Sequence, residues 1–160
     1  MQFKNSIGSV VLTCLALLIT GCASLPSPEA MKAATANYTL PALPETDKAI
    51  VYVVRPSGLG GFVRFNVFLD NQEDASEVGY TRSGQYIYFA LPAGTHKIYS
   101  KAENWAETEV DAKAGDIIFV QQEPAMGIMI ARNNLFNLQA YEGKYHVKNL
   151  TLGTILKSEK

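Results

Sequence analysis

The chain has 160 residues, 48% hydrophobic and 18% charged, with a net charge of −1 at neutral pH. That length suits one domain with an appendage, and the low charged share excludes a disordered polyampholyte or a coiled coil. A chain so close to neutral argues against nucleic acid as a partner, which needs a concentrated basic patch; two cysteines make neither a disulfide framework nor a Cys-rich zinc site.

At the N-terminus, Lys4 precedes an apolar stretch from Ile7 to Ile19. The stretch is shorter than the roughly 20 residues that span a bilayer. A basic start, a short apolar centre and small residues after it read as a secretory signal peptide over residues 1–21. Its end, Leu18-Ile19-Thr20-Gly21-Cys22, resembles a bacterial lipobox. The resemblance implies a diacylglycerol on the Cys22 thiol, cleavage between Gly21 and Cys22, and acylation of the new amino group. Several acyl chains on one residue anchor stably where one alone is marginal. Cys14 leaves with the signal, so the processed chain keeps one acylated cysteine and no disulfide. Ala23, not Asp, follows Cys22. By resemblance to the sorted lipoproteins of double-membrane bacteria, this implies the outer membrane, with the domain facing the periplasm.

Residues 22–47 read as the lipidated cysteine and a tether. Pro26, Pro28, Pro41 and Pro44 lie here, each removing a backbone donor and fixing φ, which favours extended chain. Glu29–Asn37 has room for a helical turn or two. Residues 48–152 read as a β domain and 153–160 as a tail. Ala49–Val54 is apolar at every position, the pattern of a strand buried on both faces. Val63–Leu69 alternates, with Val63, Phe65, Val67 and Leu69 on one side. Short strands follow over Glu77–Thr81, Gln85–Leu91, Thr95–Lys101, Glu107–Ala112, Asp116–Gln122, Gly127–Ala131 and Leu135–Ala140, separated by Gly- and Pro-containing turns. Spacings near ten residues predict an all-β, antiparallel sandwich of seven to nine strands. The missing 3.6-residue crossover period argues against parallel α/β architecture. Tyr141–Leu150 is ambiguous: Tyr141 and Tyr145 suit a short C-terminal helix, and Gly143 weakens one.

Three segments carry a family resemblance: Lys48-Ala-Ile-Val-Tyr-Val-Val-Arg-Pro56, the turn Leu91-Pro-Ala-Gly-Thr-His96, and Ala112-Lys-Ala-Gly-Asp-Ile-Ile-Phe-Val120. Together they resemble the bacterial lipoproteins grouped as domain of unknown function 2846, similar in style to small PEGA-type sandwiches. The resemblance spans about residues 48–140. It implies an envelope β-sandwich and brings no activity or catalytic residue.

The side chains offer little catalytic chemistry. His96 is expected at the core or its rim and His146 at the surface; neither has a ligand-spaced partner, so no metal or cofactor is expected. No Gly-x-Ser-x-Gly elbow occurs, and the one retained thiol is acylated. The acidic run Asp70, Glu73, Asp74 and Glu77 lacks the spacing of a calcium loop, and the Gly58, Gly60, Gly61 loop lacks the Lys of a phosphate loop. Both read as solvated turns. The expectation is a non-enzyme that binds another envelope protein through the uncharged segment Ala125–Ala131, with Met126 and Met129 in the contact. The alternative is a cell-wall glycan module using Trp105 and Tyr99, and an envelope hydrolase is a distant third.

Overall fold

A computed structural model describes residues 25–156. The signal peptide 1–21, its cleavage site, Cys22 and the last four residues lie outside the described residues.

Among the described residues ten strands, against the seven to nine expected, form two five-stranded sheets; the excess comes from the two-residue strands near the C-terminus. In chain order they are β1 (Lys48–Arg55), β2 (Phe65–Leu69), β3 (Glu77–Thr81), β4 (Gln85–Pro92), β5 (Gly94–Lys101), β6 (Trp105–Ala112), β7 (Ile117–Met126), β8 (Ala131–Asn137), β9 (Thr151–Leu152) and β10 (Thr154–Ile155). Sheet I has the order β8-β7-β1-β4-β9 and sheet II the order β10-β3-β2-β5-β6. Among the described residues two α-helices accompany them: α1 (Pro28–Thr35) and α2 (Ala140–Asn149).

The apolar pattern of β1 explains its place. Ala49, Val51 and Val53 face the core between the sheets, with Val67, Ile87, Phe89, Ile98 and Val120. Ile50, Tyr52 and Val54 face a second core, with Phe119 of the neighbouring β7, Leu40 after α1 and Val147 of α2. A strand at the centre of a three-layer stack has no wet face, so it shows no alternation.

The architecture departs from expectation at four places. Sheet I is mixed: β1 runs parallel to β7, and β4 parallel to β9. The chain enters β7 from sheet II and β9 from α2, and these connections, which strand periodicity does not record, set direction. The helical turns expected within Glu29–Asn37 are present as α1, but they are docked and not part of a free tether: α1 packs on α2 and buries Met31 and Thr35. The stretch after α1 is docked as well, with Leu40 in the second core. The Tyr52 hydroxyl donates to the Ala42 carbonyl at 2.6 Å and accepts from its amide at 2.8 Å. Gly127–Ile130 is no strand; it is the turn between β7 and β8. Thr154–Ile155, expected in the tail, pairs with β3 as β10. The chain between β2 and β3 makes a 3-10 turn at Asp74–Ser76.

Candidate functional site

Three loops gather at the Arg55 end of the sandwich: residues 56–64 between β1 and β2, 102–104 between β5 and β6, and 127–130 between β7 and β8. A Cβ on Gly60 would stand 3.2 Å from that of Ala131, and the Glu103 amide donates to the Ala131 carbonyl at 3.0 Å. Asn104 bridges the sheets, its side chain accepting from the Asn133 amide at 2.8 Å and donating to the Asn133 carbonyl at 3.0 Å.

Among the described residues nothing covers a run of apolar side chains at this end. Met126 is 80% exposed, Ile128 90%, Met129 89% and Ile130 64%, and Leu59 and Phe62 are exposed on the neighbouring loop. Two charged side chains organise these loops. The Glu103 carboxylate accepts from the amides of Ile128, Met129 and Ile130 at 3.0, 3.2 and 3.1 Å. The amides of Ile130 and Ile128, followed by that of Met129 and the charge of Arg132, hold its carboxyl below the ordinary value. Gly127 leaves space for this carboxylate, because a Cβ there would run into it. Arg55 does the reverse. Fully buried, it donates through Nη1 to the Val63 carbonyl at 2.6 Å. Nη2 donates to the carbonyls of Leu59 and Gly60 at 3.0 and 2.8 Å. Its guanidinium lies 3.7 Å from the Phe65 ring centroid. Burial lowers its pKa to about 10, so it stays a cation at neutral pH.

Beneath the loops lies a buried polar layer. Gln122 accepts from the Thr81 hydroxyl and donates to the Ser100 hydroxyl at 2.7 Å. All three residues are fully buried.

Met126 ends β7, paired with Ala131 of β8, and Met129 lies on the turn that follows, so the expected open strand over Ala125–Ala131 is instead a hairpin end. Trp105 begins β6, pairs across from Lys101, and rests edge-on against Phe68 with centroids 5.1 Å apart. Tyr99 pairs with Phe68 and Glu107, so it and Trp105 are diagonal neighbours on the outer face of sheet II. Trp105 keeps 36% of its surface, with the Lys101 ammonium 5.1 Å from its ring centroid. Glu103 and Arg55 escape a sequence reading. Nothing marks Glu103, and Arg55 shows only as the charge that closes an apolar strand before Pro56.

The other sequence candidates resolve into structural roles. His96 lies at the rim, its Nδ1 3.0 Å from the Asp70 carboxylate and its Nε2 3.1 Å from the Pro92 carbonyl. Asp70 adopts φ 65° and also accepts from the Lys97 amide at 3.2 Å. Glu77 accepts from Asn66 at 2.6 Å. His146, expected at the surface, is buried under α2, and burial lowers its pKa. α2 turns that face inward because Val147 beside it belongs to the second core.

A cleft of about 670 Å³ opens beside the half of β4 that β9 leaves unpaired, with Leu69, Val78, Phe89 and Ile155 in its wall. Its acidic rim groups, Glu45 and Asp70, are engaged by Lys48 and His96 at 3.3 and 3.0 Å. Among the described residues there is no group of three His, Cys, Asp or Glu side chains arranged for a metal ion, and no helix long and apolar enough to cross a membrane. No protein-family model matches the chain, and no curated protein matches it in sequence.

Proposed function

We propose that this protein is a lipid-anchored, non-catalytic docking module of the bacterial envelope that works through the apolar end of its sandwich. The observation that carries the reading is the exposed Met126–Ile130 segment, held in one conformation by Glu103. An uncovered apolar patch marks an interaction surface, and a pre-ordered one loses less conformational freedom on binding. The lipobox-like Leu18–Cys22 supplies the anchor, and the resemblance to the domain of unknown function 2846 lipoproteins belongs to the same reading. Four residues separate Cys22 from Ser27, the cap of α1. At about 3.3 Å per residue the leash is about 17 Å long, which keeps the folded body against the membrane.

The test is a photo-crosslinking residue at position 129 in growing cells, with Asp111, exposed toward the far end of β6, as the control position. Crosslinked species at 129 and not at 111 are expected. A chain that forms none at 129 overturns the reading.

A second reading, a glycan module, draws on Tyr99 and Trp105 sharing one face. Pelleting with isolated cell-wall sacculi tests it: binding by the wild type that Trp105→Ala loses would put glycan first.

A further inference from the structure

We infer that the surface this end docks on is a lipid bilayer with anionic headgroups, the turn Ile128–Met129–Ile130 entering the apolar layer and Trp105 lying at its interface. The inference deepens the docking reading above and rests on it.

The loops' backbone groups find partners within the protein. A peptide amide carried into hydrocarbon without a partner is costly, and lipid tails supply none. A protein partner brings donors and acceptors of its own; a bilayer demands that an inserted loop satisfy itself. The turn meets that demand. All three amides of Ile128, Met129 and Ile130 end on the Glu103 carboxylate, an acceptor from a neighbouring hairpin. The adjoining apolar loop meets it with the opposite polarity, three carbonyls of residues 59, 60 and 63 ending on buried Arg55.

Shape and charge agree. The apolar side chains sit at the tip of a hairpin, exposed by 64% to 90%, a projection and not a groove for a partner's side chain. At the roots of the three loops stand the exposed cations Arg64, Lys101 and Arg132. Glu103, the exposed carboxylate among them, is turned onto the tip's amides and faces Arg132, so positive charge is left to meet anionic headgroups while the tip enters. Trp105, with one side against Phe68 and an exposed remainder under Lys101, matches the interfacial preference of tryptophan.

Trp105 is the only tryptophan in the chain, which makes it a built-in depth probe. Full-length protein, purified with its native lipid anchor, is reconstituted in vesicles of phosphatidylethanolamine and phosphatidylglycerol whose acyl chains carry bromine. Quenching and a blue shift of Trp105 emission are expected. Both should be lost in the Ile128→Glu, Met129→Glu variant, although its anchor still holds it to the vesicle. Quenching should weaken when phosphatidylglycerol is replaced by phosphatidylcholine. No quenching in the wild type, or equal quenching in the variant, overturns the inference. Crosslinks from position 129 need no charged substitution and separate the two levels. Adducts of lipid mass support insertion. Adducts of protein mass alone overturn it and leave the docking reading standing; no adducts overturn both.

Discussion

Tyr52 shows how one side chain on the central strand reaches through a layer. Its ring lies in the second core, 5.5 Å from the Phe119 centroid, and its hydroxyl bonds both backbone groups of Ala42. Burial pushes its pKa up to about 12, so it stays neutral and keeps both bonds. Tyr52→Phe removes two hydrogen bonds, each worth about 0.5–1.5 kcal/mol, and frees the chain around Ala42. A loss of about 1–3 kcal/mol in denaturant unfolding is expected, with faster amide exchange at residues 38–44 as the local sign.

His146 sits in the same layer, and its Nε2 has no partner. Desolvation lowers its pKa, while Glu142 and Glu123 oppose the shift in part. The unfolded chain therefore binds a proton at higher pH than the folded one. The resulting stability is fully present above the unfolded value of about 6.5 and is lost as pH falls below it. Urea melts at pH 7.5 and pH 5 should show this loss, and His146→Leu should reduce it. Glu103 acts lower on the scale: its carboxyl is held down by the turn's amides, so its contribution fades only toward the ordinary carboxylate range. The two effects separate by pH.

Elements are where sequence and structure part company most often. α2 carries Gly143 in its interior, a residue that costs a helix about 1 kcal/mol relative to Ala, and for that reason the segment reads as ambiguous. The structure supplies the cause: a Cβ at position 143 would collide with the Phe119 ring on β7. Gly143→Ala sets the helix gain against overpacking of about 1–3 kcal/mol. Net destabilisation is expected by thermal melting, and Phe119→Leu should relieve part of it. The β7–β8 hairpin teaches the opposite lesson. Its uncharged stretch reads as strand because Ile and Met suit a pleated surface. Yet Gly127 and the carboxylate of Glu103, 24 positions earlier in the chain, bend it into a turn.

At the scale of the molecule, α1 and the stretch around Ala42 close the outer face of sheet I, so on the lipoprotein reading proposed above only residues 23–26 stand between Cys22 and the cap of α1. The anchor has its own test. Cys22→Ser in the full chain should leave an uncleaved, unlipidated precursor, visible as a larger species on gels of cell fractions. Normal processing in that variant would mean that the Leu18–Cys22 motif is misread.

The sequence by itself determined the β-rich two-sheet character, the doubly buried first strand and most strand positions. Those features follow from local periodicity and turn residues, which any window of ten residues carries. Only the tertiary structure decided strand direction, the docking of residues 28–42 and the burial of His146. It alone also places Arg55 and Glu103 against the backbones of two apolar loops. Each of these depends on contacts between residues far apart in the chain, where no local pattern records the partner.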